Sequence, residues 1–264
     1  MPPSDLLEKD VYTRAGFSTL LGREVHRFVR LYNQTIIPPV LTAALFLVIF
    51  GYSLGSRIKE VQGIPYLHFI VPGLVMMSVI TSAYANTSSS LYIARFQGHI
   101  QELLVSSMST LEIVLALILG GVLRGVVVGL IISATSMLMT GVTVAHIGMT
   151  LYFMFCVATI FSCCGFLSAM WAESFDRLSL FQTYILTPLT YLGGVFFSIG
   201  MLPPVWQKVA MVNPILYFVN GMRYGLLKET DVNIVISATA SFILAAGLFA
   251  LCYLLFKRGY NIKT

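Results

Sequence analysis

Charge is what this chain has least of. Asp, Glu, Lys and Arg make up only 10% of its 264 residues, against about 25% in a soluble globular domain. Hydrophobic residues reach 57%, so the composition is that of an integral membrane protein. A phosphate-binding loop is missing too: no Gly-x-x-x-x-Gly-Lys occurs, and no lysine follows a glycine. The chain therefore cannot hold ATP through such a loop by itself. His26, His68, His99 and His146 are scattered and HExxH is absent, which leaves a metalloenzyme reading without residues. No carboxylate falls in the middle of an apolar run, which argues against a proton-coupled carrier. The four cysteines, Cys156, Cys163, Cys164 and Cys252, lie inside apolar runs without metal-ligand spacing and read as small buried hydrophobes.

What is present is a series of apolar runs of about 20 residues, the length a helix needs to cross a bilayer. They predict six spans, near 36–54, 66–92, 111–139, 149–171, 178–197 and 234–256. The first apolar run starts only near Ile36, so no cleavable signal sequence is expected. Between the fifth and sixth spans, Pro203, Pro204, Pro214 and Gly221 break the apolar stretch into 205–212 and 215–227, both too short to cross. The expectation is a re-entrant helical hairpin over 199–230 that returns to the face it left. The net charge of +5 comes from basic residues flanking the spans. It reads as an orientation signal and not as a nucleic-acid footprint. With both termini cytoplasmic, ten Lys and Arg fall inside, five outside, and Arg124 is embedded.

Residues 13–34 form an amphipathic pattern. Phe17, Leu21, Val25, Phe28 and Tyr32 share one side, and Thr19, Arg23, Arg27, Arg30 and Gln34 the other. A helix lying in the membrane interface is expected there, with Arg23, Glu24, Arg27 and Arg30 among headgroups. In the second span Ser78, Ser82, Asn86 and Ser89 form one stripe, too polar to face lipid. It either packs by interhelical hydrogen bonds or lines a water-accessible path. Residues 94–110 predict a short helix carrying Arg95, His99 and Glu102, then a turn with Thr110 as the N-cap of the third span. Gly121, Gly125, Gly129 and Ser133 recur every four residues and predict close helix contact. Arg124 sits among them, about 18 Å of helical rise beyond Glu112. Two readings stay open for it: a snorkelling or internally bonded side chain, or a contact to an anionic substrate group.

These residues resemble the ABC-2 type exporter permeases, the membrane half of ATP-binding-cassette transporters. The most specific match is TPLTYLGGVFFSIGMLPPVWQKVAMVNPILYFVNGMRYG, with its Gly-Gly, Leu-Pro, Asn-Pro and downstream Arg; the second is QELLVSSMSTLEIVLA. A proline the family often carries after the Leu-Leu-Val is replaced here by Ser106–Ser109. The resemblance implies a single transmembrane domain over 1–264 and an inner-membrane homodimer, all-α, with six spans per subunit. It implies two copies of a separate ATPase, which binds the ATP and Mg2+, with no cofactor in this chain. Arg95, His99 and Glu102 would meet the ATPase. The second and fifth spans, with Ser78, Ser82, Asn86, Ser89, Thr187 and Thr190, would line the path of a drug, lipid or glycolipid. The competing expectation is a carrier or channel that works without an ATPase.

Overall fold

The computed structural model describes residues 4–51, 55, 60, 61 and 63–259, with side chains from residue 15 onward. The expected end of the first span at 52–54, most of the loop after it, and the side chains of Arg14 and Lys263 lie outside the described residues. Helix α1 (Ser4–Arg30) leads through α2 (Tyr32–Thr35) into α3 (Ile37–Ile49), whose first turn holds Pro38 and Pro39. A proline is tolerated there because its missing N–H would have no helical partner. Strands β1 (Glu60–Val61) and β2 (Ile64–Pro65) make a two-residue antiparallel ladder, Glu60 opposite Pro65, between the first two expected spans.

The long helices follow: α4 (Tyr66–Phe96), the short α5 (His99–Val105), α6 (Thr110–Thr140) and α7 (Ile147–Trp171). The cap of α6 is Ser109, one residue before the expected Thr110. Glu112 must stand three residues after the cap to close the reciprocal box, and only Ser109 satisfies that spacing. The Ser109 hydroxyl accepts from the Glu112 amide at 3.3 Å while the Ser109 amide donates to Oε2 of Glu112 at 2.7 Å.

The predicted fifth span is interrupted. It runs as α8 (Phe175–Leu180), a π-helical turn (Phe181–Leu186) and α9 (Thr187–Leu192), ending five residues before Phe197. Pro188 has no N–H to give to the carbonyl four residues back, and its ring would crowd that carbonyl. The backbone widens one turn earlier instead, with the Thr187 amide donating to the Gln182 carbonyl. Then come α10 (Pro204–Val212), α11 (Pro214–Leu227) and α12 (Ile234–Lys257).

Among the described residues five helices are long and apolar enough to cross a membrane: 32–49, α4, α6, α7 and α12. α4 and α7 form the centre. α6 packs on both, α11 lies against α4, α7 and α12, and α1 lies along α6. By contrast α3 exposes Leu41, Leu45 and Val48, and α12 exposes Val235, Ile236, Phe242 and Ile243. Apolar faces of this extent belong against lipid or a second subunit.

The small-residue face of α6 does what its spacing predicts. A methyl group on Gly121 would collide with the hydroxyls of Thr87 on α4 and Ser162 on α7 and sit 3.0 Å from the Ala83 carbonyl. Close approach of this kind replaces the hydrophobic driving force that lipid removes. Gly121→Val is expected to destabilise by at least the ~1–3 kcal/mol of an overpacked core. The check is thermal unfolding in detergent, where a parent-like melt would show that the helices can separate freely.

Candidate translocation cleft and coupling surface

Two open-sided cavities follow α4. One, of about 430 Å³, is lined by Leu74, Met77, Ser78, Thr81 and Ser82 of α4, by Pro38, Thr42 and Phe46 of α3, and by Thr187 and Tyr191 of α9. The other, of about 360 Å³, is lined by Tyr84, Asn86, Ser88, Ser89 and Ile93 of α4, by Arg27 and Phe28 of α1, and by Leu178 of α8. Both contain Gln34, Ala85, Arg124 and Gln182, so they form one cleft with these four residues at its waist. Along α4 it extends from Leu74 to Ile93, about 28 Å at 1.5 Å per residue. That length is close to the ~30 Å hydrocarbon core of a bilayer.

The α4 stripe is therefore brought to one place. Ser78 donates to the Leu74 carbonyl at 2.9 Å, and Ser89 donates to the Ala85 carbonyl at 2.7 Å. Ser82 Oγ and Asn86 Nδ2 are buried without a partner. Thr187 joins the cleft, but Thr190 does not. The Thr190 side chain is buried and donates to the Leu186 carbonyl at 2.6 Å. The sequence pattern places Gln34 only on the polar side of the 13–34 helix and passes over Gln182; a glutamine between Phe181 and Thr183 in an apolar run was the available signal. At the cleft end far from α5, Phe46, Phe50, Phe196 and Tyr191 make a chain of ring contacts, the tightest being Phe50 on Phe196 at 4.8 Å.

The interfacial-helix residues separate into two groups. Arg23 and Arg30 are exposed, whereas Glu24 is only 1% exposed, pressed against Gly120 of α6. One Glu24 oxygen accepts from the Ser90 hydroxyl at 2.7 Å and the other from Arg27 at 3.0 Å. Arg27 also donates to Ser89 Oγ at 3.2 Å and to the Asn86 carbonyl at 2.9 Å. Helix α1 thus has a third face, Leu20, Glu24, Phe28, turned into the protein. Beside it Phe17, Leu21 and Val25 line a shallow apolar groove.

Helix α5 is held by buried Ile100 and presents His99 and Glu102, paired at 3.6 Å, on its exposed face. Arg95 is half-buried. Its guanidinium donates to the carbonyls of Ala169 and Met170 at 2.5 and 2.8 Å, closing the C-terminal end of α7. A cation is favoured there by the helix dipole as well as by the free carbonyls. Around α5 the apolar residues Phe96, Leu104 and Val105 are exposed, Val105 to 87%. An arginine-rich cavity of about 550 Å³, lined by Arg23, His26, Arg30 and His99, opens between α1 and the α4–α5 corner.

Opposite α5, helix α11 is pinned by Arg223. This side chain is 0% exposed and lies 3.9 Å above the Phe69 ring. It donates to the Gly194 carbonyl at 2.9 Å, to Asn220 Oδ1 at 3.1 Å and to Asp231 Oδ2 at 3.3 Å. Gly194 has φ +77°, a left-handed conformation natural to glycine. Asn213 caps α11 through the Ile215 amide and reaches back to the Leu189 carbonyl at 2.6 Å.

The run Gly51-Tyr52-Ser53-Leu54-Gly55 spells Gly-x-Ser-x-Gly, the pattern of a nucleophile elbow. A nucleophile elbow sits between a strand and a helix, but this run follows helix α3, and 52–54 lie outside the described residues. Among the described residues no cluster of three His, Cys, Asp or Glu could hold a metal.

The architecture defines a polytopic membrane transport protein, with a polar cleft across an apolar bundle and an exposed helix at its foot. Residues 15–227 match the family model described as ABC-2 type transporter, and the chain belongs to that family. It is 42% identical to the inner membrane transport permease YadH of Escherichia coli K12 over 252 residues, covering 94% of this chain and 97% of that one. It is 25% identical to nodulation protein J of Sinorhizobium fredii, over 79% of this chain and 80% of that one. The chain is a multi-pass inner-membrane permease, the membrane subunit of an ABC transporter and not itself catalytic.

Proposed function

We propose that this permease exports an amphiphile, a drug, lipid or glycolipid, driven by ATP and Mg2+ bound in a separate ATPase. Two copies would pair in the membrane above two ATPase copies, with both termini cytoplasmic. Six crossings follow if 175–192 counts as the fifth and the α10–α11 hairpin dips in from outside and returns. Thr190, Ser78, Ser82, Asn86, Ser89 and Thr187 then belong to or border the path.

The observation that carries this reading is the placement of α5. Its exposed His99, Glu102, Leu104 and Val105 face away from the bundle at the foot of α4. An apolar cluster exposed beyond the spans calls for a protein partner. α5 follows α4 directly, and the Ser109–Glu112 box ties the next turn to α6. A push on α5 would thus reach two helices that line the cleft. The free energy for it lies in the partner, whose affinity for ATP must differ between its two states.

Glu102→Arg reverses an exposed charge without disturbing the core. In the reconstituted complex it is expected to cut substrate-stimulated ATP turnover about tenfold, the order of ~1.4 kcal/mol of docking energy, with normal membrane insertion. Undiminished stimulation would remove Glu102 from the interface. Topology is tested separately by single cysteines at Trp206 and Gln101. An impermeant thiol reagent added to whole cells should label the first and leave the second untouched; the reverse pattern inverts the orientation.

A further inference from the structure

We propose that the waist of the cleft is a binding site for the anionic group, phosphate or carboxylate, of an amphiphile, with Arg124 as its counter-charge. The proposal rests on the transport reading and deepens it. Arg27 and Arg124 are the charged residues lining the cleft, and no carboxylate lines either cavity. Arg27 is already neutralised by Glu24 at 3.0 Å. Arg124 is half-buried and makes no hydrogen bond or ion pair among the described residues, and its Nε is buried without a partner. An arginine placed this way in a membrane helix is costly unless something pairs with it.

A second observation points the same way. Ser82, 2% exposed, leaves its Oγ buried without a partner, and its side chain lines the same cavity as Arg124. Buried polar atoms are nearly always bonded, so a hydroxyl left over in the lining that holds an unpaired cation is available to a ligand that supplies the acceptor. Gln34 and Gln182 add amides at the same waist. From there Pro38, Met77, Leu74 and Phe46 form an apolar part of the lining, interleaved with Thr42, Ser78 and Thr81, against which an acyl chain or ring system can lie. A guanidinium fork suits an oxyanion, which it can hold by two parallel bonds.

The test uses the purified permease with its ATPase in phosphatidylcholine nanodiscs, with binding read by native mass spectrometry. Short-chain phosphatidylglycerol is expected to bind at least tenfold tighter than short-chain phosphatidylcholine. Arg124→Gln should abolish that preference and Arg124→Lys keep part of it. Ser82→Ala should weaken phosphatidylglycerol selectively, which keeps the test decisive if Arg124→Gln does not fold. Equal binding by parent and Arg124→Gln overturns the proposal. So does glycerol phosphate competing as well as the lipid, since the apolar wall would then contribute nothing. Arg124-dependent binding without ATP-driven transport would sink the exporter reading and leave the site standing. Transport that is indifferent to Arg124 would do the opposite.

Discussion

Arg223→Met is expected to unfold the α11 end of the bundle, lowering the apparent melting temperature by on the order of 10 °C. Breaking a buried ion pair from one side costs about 3–5 kcal/mol, and each kcal/mol shifts a domain of this size by about 2–4 °C. The loss would be spread over three segments, because the guanidinium joins α11 to the Gly194 carbonyl before α10 and to Asp231 after α11. Asp231 itself holds Ser198 at 3.0 Å, and its amide donates to Asn220 Oδ1 at 2.9 Å. Arg223→Lys should fall between, keeping the charge but losing the planar fork that reaches two acceptors at once. Adding Asp231→Asn to Arg223→Met should recover part of the loss, since the carboxylate would no longer be buried beside an apolar side chain. Thermal scans of the parent, Arg223→Met, Arg223→Lys, Asp231→Asn and the double variant measure this directly. Simple additivity of the two single changes would mean that the pair is not coupled.

The same residue shows how far the sequence could be read. The Gly-Gly, Asn-Pro and Arg pattern was visible in 187–225, but its reason was not. Arg223 binds the carbonyl of Gly194, and Asn213 binds that of Leu189, both contacts between segments that the pattern alone leaves unpaired. Helix limits such as Tyr66, Trp171 and Ile234 were legible because polar residues and turns bracket the apolar runs. Helices α10 and α11 were legible because prolines start both of them. The interruption at 181–186 was not, since Pro188 can kink, break or widen a helix and only the surrounding packing decides which. The resemblance groups Arg95 with His99 and Glu102, and the sequence does not show that its guanidinium also closes a helix whose end lies some 75 positions further along the chain. In the cleft, the α4 stripe followed from helical spacing alone, whereas Gln34, Arg124 and Gln182 meet only when three helices are brought together.

Glu24 is the second residue on which much of the fold hangs. Glu24→Gln keeps the volume but leaves Arg27 without a counter-charge against Asn86 and Ser89. The amide would also turn a donor toward the guanidinium or toward the Ser90 hydroxyl. Charge-assisted hydrogen bonds contribute about 1.5–3 kcal/mol each, and Arg27 keeps some access to water, so a net loss of about 2–4 kcal/mol is expected. Ser90→Ala removes only the 2.7 Å bond to Glu24 and should cost about 1 kcal/mol. The larger consequence is mechanical. Glu24 and Arg27 tie α1 to the half of α4 that leads into α5, and Glu24 also rests on Gly120 of α6. If motion of α5 reaches the cleft through α4, loosening this tie lets α4 move without carrying α1. ATP turnover would then persist while transport falls. Measured on one preparation at a temperature where Glu24→Gln remains folded, the ratio of substrate moved to ATP hydrolysed should drop severalfold. The Ser90→Ala ratio should stay near the parent value. A Glu24→Gln protein that melts and transports like the parent would show that α1 rides on the bundle without being part of its movement.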